Sequence, residues 1–339
     1  MIAERLTAQL LAGEPARDPV AVAERLLAVQ GQDPRGARLA IRSRTTGLSA
    51  ADVDRALSEE RTLVITWLNR GTLHLVRSED YPWLHALSAP GRFTGNARRL
   101  AQEGVPPNAA ERAVKIIEHS LAEEGPLTRQ QLGERIAATG VRTGGQALVH
   151  LLGLAALLGL AVRGPMIGGQ HAYALVRDWL GEQRPVDREL ALAELARRYL
   201  LGHGPAHERD LAKWAGLPLR DVRAGLQAIA SQLTERQDGL LDLAGREPQA
   251  ALPPPRLLGA FDPILLGWCS REAILGQHRA VITVNGLFRP FALIRGHAVA
   301  TWSMPGGEVL LEPFGDLSGE DATALAADAT DVVRYLATE

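Results

Sequence analysis

Apolar and polar residues alternate along the chain in blocks that repeat. Apolar positions recur at helical spacing over Ala109–Glu124 (Val114, Ile116, Ile117, Leu121) until Gly125-Pro126 stops them. Thr128, with Gln131 three residues on, has the form of a capping box and opens a second helix over Arg129–Ala138. A third helix is predicted from about Gly145 to Leu158. A short strand (Leu160–Arg163), a Gly/Pro tip (Gly164 to Gly169) and a returning strand (His171–Val176) follow it. Three helices and then a hairpin is the order of a winged helix. The order recurs downstream as helices over Arg188–Leu201, Glu208–Trp214 and Pro218–Ser231 and a weak hairpin over Leu233–Leu243, where GPAHERDLAKWAG aligns without a gap on the earlier GPLTRQQLGERIA. Upstream, helices over Ile2–Leu11 and Val20–Val29 and a third opened by Ser49 and Asp52 lead to a hairpin, Thr62–Leu68 and Thr72–Val76, around Asn69-Arg70-Gly71.

The texture changes after Leu252-Pro253-Pro254-Pro255, a run that cannot lie inside a helix. Strands are predicted at Arg279–Val284, Pro290–Ile294, Ala298–Trp302 and Glu308–Leu311, with a closing helix over Ser318–Ala337. The expected architecture is α+β: three tandem winged-helix (helix-turn-helix) modules at 1–105, 106–184 and 185–250, then a C-terminal β-rich domain, a partial barrel, at 251–339.

Composition narrows the partners. The 37 basic and 39 acidic residues leave a formal charge of −2, which excludes a strongly basic nucleic-acid coat but not a local basic groove. All the cations except Lys115 and Lys213 are arginines, whose forks suit phosphate oxygens. Cys269 is the only cysteine, so neither an intramolecular disulfide nor a thiolate cluster is available. His203 and His207 flank Pro205 and read as a turn pair in solvent, so no metal and no cofactor are expected. Glu4 and Arg5 break any signal-peptide core, and the apolar run Leu151–Val162 is shorter than the ~20 residues a bilayer requires. A soluble, monomeric, cytoplasmic protein without membrane contact is the expectation.

The chain carries no GxSxG elbow, no phosphate loop ending in Lys-Ser/Thr and no GxGxxG. Two strings do not read as plain packing. In the first, residues 28–45, Gln30 and Gln32 stand two apart in an extended or turn segment, so both carboxamides can face one spot, with Arg35, Arg38, Arg42 and Arg44 behind them. A polar helix exit followed by a solvated arginine-rich loop accounts for the same residues. In the second, residues 66–76, Trp67, Leu73 and Leu75 read as core, while Arg70, Thr72 and His74 alternate onto a wet face able to meet phosphates or bases. A hairpin with one solvated face would look the same.

Gln30-Gly31-Gln32-Asp33-Pro34, Arg70-Gly71-Thr72-Leu73-His74-Leu75-Val76, Gly259-Ala260-Phe261-Asp262-Pro263-Ile264-Leu265-Leu266-Gly267-Trp268 and Thr301-Trp302 occur in family order across nearly the whole chain. On these strings the chain resembles the AlkZ/YcaQ-like family of winged-helix DNA glycosylases. The resemblance implies tandem winged helices with a β-rich C-terminal part, a concave basic channel for double-stranded DNA, and a catalytic Gln-apolar-Gln (or Gln-apolar-Asp) motif, which falls on Gln30 and Gln32. Gly31 stands where the family carries a small apolar side chain. The function expected is that of a monofunctional glycosylase releasing N7- or N3-alkylated purines from DNA; whether bulky adducts or crosslinks fall within that class is left open by the sequence. Asp33 is the rival general base, and Arg35, Arg38, Arg44, Arg70, His74, Arg271, His278 and Arg279 are the expected DNA contacts. The competing class is a non-catalytic winged-helix DNA-binding protein or transcriptional regulator.

Overall fold

The computed structural model describes residues 1–246 and 251–337. The boundary expected between residues 250 and 251 touches 247–250, outside the described residues. The protein is a mixed α/β chain in two compact units, the first built from residues 1–53 and 192–339 and the second from 54–191. The hairpin grouped by the sequence with the N-terminal helices therefore falls in the other unit.

In the second unit the helix–helix–helix–hairpin order is present: Pro107–Glu124, Arg129–Ala138, Ala147–Leu157, then strands Ala161–Ile167 and Gln170–Leu175. Thr128 and Gln131 form the reciprocal capping box, the Thr128 N–H donating to Gln131 Oε1 at 2.9 Å. The helix over 147–157 is apolar because it is interior. Ala147, Leu148, Leu151, Leu152 and Ala155 pack against Ile117, Leu121, Leu132 and Ile136. The hairpin 63–77 joins the same unit, with Leu63–Leu68 pairing antiparallel with Thr72–Arg77. Ile65 pairs with Arg163, so the two hairpins share one sheet instead of standing as separate wings. Helices Tyr81–Ser88 and Phe93–Gln102, absent from the sequence pattern, lead out of this hairpin.

In the first unit, Arg188–His203 enters from the second and is followed by Glu208–Ala215, Leu219–Ala228 and a short hairpin, Leu233–Glu235 with Leu241–Leu243. The N-terminal part departs from three helices. Ile2–Ala8, Pro19–Leu26 and Ala50–Ser58 are joined by a fourth, Pro34–Arg42, across the stretch read as an arginine-rich loop. The C-terminal strands form an open four-stranded antiparallel sheet instead of a partial barrel, in the order 310–313, 297–303, 291–294, 256–258. Arg279–Val284 is not one of them. Arg279–Val281 forms a single 3-10 turn, and one bridge joins Ile282 to Phe288 around Asn285-Gly286. The closing helix Gly319–Leu336 lays Leu325 and Val332 on this sheet, where Leu39 of the 34–42 helix joins Leu257, Ala292 and Trp302 in one core. No helix among the described residues is long and apolar enough to cross a membrane.

Candidate active site

The helix that carries Leu39 starts where it does for a local reason. Asp33 is extended (φ −103°, ψ 108°) and its Oδ1 accepts the Gly36 N–H at 2.8 Å. Pro34 takes the first helical position, where its missing N–H costs nothing. The preceding helix ends at Leu26, so Gln30 and Gln32 lie on the link between two helices, Gln30 within the extended pair Val29–Gln30. Both amides turn to the same side. Gln30 Nε2 donates to Gln32 Oε1 at 2.7 Å, with Gln30 buried and Gln32 exposed. That bond leaves Gln30 Oε1 as an acceptor and the two Gln32 Nε2 hydrogens as donors, without a partner among the described residues.

What holds this link in place is the C-terminal motif. A Cβ on Gly36 would stand 2.3 Å from Ala260 O, and one on Gly259 would stand 3.0 Å from Gly36 Cα. The helix therefore lies backbone to backbone on residues 259–260, an approach open only to glycine. Asp262 then grips the helix's far end. Arg44, 1% exposed, meets it through a fork, Nη1 to Oδ2 at 2.9 Å and Nη2 to Oδ1 at 2.8 Å, while its Nε donates to Gln9 O at 2.8 Å. Arg42 reaches the closing helix at Asp331 (2.9 Å) and Asp328, and donates to Leu257 O at 3.1 Å. Trp302 and Trp268 spend their indole N–H groups on backbone carbonyls, Leu258 O at 2.9 Å and His203 O at 3.1 Å.

The expected DNA contacts separate by burial. Arg35, His278 and Arg279 are exposed; Arg35 rests on the Met304 sulfur and His278 stacks on Phe314 at 4.6 Å. Arg70 and Arg271 are half-buried, and Arg271 donates to Leu265 O at 2.7 Å with its guanidinium over Phe288. Three do not stand where a phosphate could reach them. Arg44 is sealed in its ion pair, Arg38 is buried with Nη1 on Pro34 O at 2.9 Å, and His74 is buried with Nδ1 on Thr72 O at 3.0 Å. Burial, helped by the nearby Arg70 charge, pulls the His74 pKa down to about 4, so the ring is neutral at ordinary pH. The face of the 72–77 strand expected to be wet is thus enclosed. His203, expected in solvent, is fully buried between Tyr199 and Trp214, its pKa lowered by burial to about 3. His207 caps the 208–215 helix, accepting the Arg209 N–H on Nδ1 at 3.1 Å. Among the described residues no group of three or more His, Cys, Asp or Glu side chains could hold a metal ion.

Sequence reasoning missed the Arg42 and Arg44 clamp and the Gly36–Gly259 contact. An Asp-Pro helix start before the apolar triplet Leu39-Ala40-Ile41 was the available signal for the helix. No local signal gives the partners, more than 200 residues away.

Residues 23–335 match the family described as DNA glycosylase AlkZ-like, and the chain belongs to that family. It is a DNA glycosylase, a hydrolase of the bond between base and deoxyribose. It is 27% identical to an interstrand DNA cross-link repair glycosylase of Streptomyces sahachiroi, the match covering 98% of this chain and 95% of that one. The solved structure of the Streptomyces sahachiroi DNA glycosylase AlkZ superposes with a TM-score of 0.81 at 25% identity, over 98% of this chain and 95% of the other.

Proposed function

We propose that the enzyme hydrolyses the N-glycosidic bond of purines alkylated at N7 or N3 in double-stranded DNA, with Gln30 and Gln32 holding the water. The observation that carries this reading is the 2.7 Å bond between the two amides, which presets one acceptor and one donor pair on the same side. An N-alkylated purine already bears positive charge. When the C1′–N bond breaks, its electron pair neutralises the ring, and the base leaves without an acid. The sugar becomes oxocarbenium-like. A water that donates to Gln30 Oε1 and accepts from Gln32 Nε2–H can be held in line to form the new C–O bond, its surplus proton passing to solvent. No carboxylate is required, and Asp33 has one oxygen committed to the helix cap.

The name of the Streptomyces relative puts crosslinked DNA within this substrate class, and we extend that to this chain. We read 107–175 and 188–243 as winged helices. The buried helix 147–157 lacks the exposed basic face a groove-reading regulator needs, which favours the enzyme over the regulator. The exposed Arg35, His278 and Arg279 are taken as phosphate contacts, and so are the half-buried Arg70 and Arg271. The enzyme is taken to act as a cytoplasmic monomer.

Mass spectrometry of bases released from methylated duplex DNA tests the reading. The wild type should release 7-methylguanine. Gln30→Ala and Gln32→Ala should each lower the single-turnover rate by roughly 10²-fold. Asp33→Asn, which keeps a capping side chain, should stay near wild type. Undiminished release by both glutamine variants ends the proposal.

A further inference from the structure

The third helix of the 107–175 segment, Ala147–Leu157, holds no exposed residue. In a winged helix that position belongs to the element laid in the DNA groove, so here another element has to meet the nucleic acid. What lies against it is the helix Phe93–Gln102. Asn96 Nδ2 donates to His150 O at 3.0 Å, and a Cβ on Gly153 would stand 3.5 Å from that nitrogen. Leu100 enters the same core as Ala147, Leu148 and Leu151. Arg92, Asn96 and Leu100, spaced at one helical turn, are the positions of 91–102 turned inward; the rest are exposed.

The outer face of this helix is low and basic. Gly95, Ala97 and Ala101 carry little side chain, and Arg98 and Arg99 stand above them. No Asp or Glu lies between Asp80 and Glu103, although the chain as a whole holds more acids than bases. Several exposed arginines elsewhere are paired with carboxylates: Arg177 with Glu118, Arg223 with Glu208, Arg334 with Asp331. Arg98 has no such partner among the described residues, and Arg99 reaches only the neutral Gln102 Oε1, at 3.1 Å. Arg142 is exposed beside the helix's end, its Cδ 3.8 Å from where a Cβ on Gly104 would stand, again without a carboxylate among the described residues. Such cations give up no ion pair when they meet a polyanion, and small residues between them let it come close. Asn96, the side chain suited to an adenine edge, is spent inward on His150 O, which leaves charged forks for phosphates.

We propose that the helix Phe93–Gln102 takes the place of the buried third helix as the DNA-facing element of residues 54–191, with Arg98, Arg99 and Arg142 on backbone phosphates of duplex DNA. This uses the winged-helix reading of 107–175 but not the alkylpurine chemistry. It is therefore tested on undamaged DNA, from which no base leaves.

Affinity of the full chain for an undamaged duplex is measured across a series of salt concentrations. Each phosphate contact adds about 0.9 to the slope of log affinity against log salt, so Arg98→Ala combined with Arg99→Ala should lower the slope by about two. Arg98→Lys combined with Arg99→Lys should keep it. Lys115→Ala removes an exposed cation from the 107–124 helix and should leave the slope unchanged. All three positions are exposed, so Tm should hold in every variant. Two duplexes of equal length and unrelated sequence should bind the wild type alike. A wild-type slope in the double alanine variant, or an equal drop in Lys115→Ala, overturns the surface. A sequence preference that the double alanine variant loses overturns the assignment to phosphates. Undiminished base release by Gln30→Ala and Gln32→Ala would end the alkylpurine reading and leave this surface standing.

Discussion

The helix 34–42 with its following turn and the hairpin 63–77 contain polar strings that both looked wet in sequence, yet Arg38, Arg42 and Arg44 of the first and Thr66, Asn69 and His74 of the second are buried. They differ in how the buried groups are satisfied. Arg44 places its guanidinium on Asp262, Gln9 and Ala40, and Arg42 on Asp331, Asp328 and Leu257. In the hairpin, Thr66, Asn69 and Thr72 leave atoms without a hydrogen-bond partner among the described residues. A buried polar group that is fully bonded ties its neighbours together; one that is not contributes no such tie. Arginine-rich sequence therefore marks the clamp behind the glutamines.

The clamp gives the largest expected effect. Arg44→Leu strands Asp262 as an uncompensated buried carboxylate and should lower unfolding free energy in urea by about 3–5 kcal/mol. The double variant Arg44→Met with Asp262→Leu should recover most of it. Equal losses in the single and double variants would show that the pair does not act as a unit.

Acid separates the two regions next. His203 in the scaffold and His74 in the hairpin are both held neutral by burial, with pKa values of about 3 and about 4. The unfolded chain takes up their protons below pH 6.5 while the folded chain does not. Their contribution to stability is therefore complete above pH 6.5 and falls away as pH drops toward 3 to 4. By pH 4.5 each ring should have cost about 2.5 kcal/mol. His203→Phe, which keeps the ring stack, should remove its share of that slope in urea melts at pH 7 and 4.5. An unchanged slope would mean the ring is charged in the folded protein.

The smallest effect is at the surface. Arg35→Ala and Arg279→Ala should each reduce the slope of log affinity against log salt by about one, without touching base preference or folding. Arg38→Ala should leave the slope alone, since its guanidinium is on Pro34 O. A slope change at Arg38 instead would reverse the division by burial.

Much of the fold was legible where local chemistry decides it. The Thr128–Gln131 box, the Gly125-Pro126 stop and the glycine tips fix the 107–175 segment within a few residues. The amide pair was legible too, because residues two apart on an extended link face the same way. Helix 34–42 was lost because its arginines mimic a solvated loop, although their partners come from residues 257–331. Val281-Ile282-Thr283-Val284 has strand propensity but no neighbouring strand to receive it, apart from the Phe288 bridge. Of the polar face of hairpin 63–77, Thr72 and His74 were visible by alternation. Thr66 required the hairpin register.

The packing of Gly36 on Gly259 also sets a timetable. The first unit joins residues 1–53 to 192–339, so a ribosome making the chain in order completes 54–191 while the glutamine link still lacks its support. The protein's middle can be folded early, whereas the glutamine link gains its support only after residues 257–331 emerge.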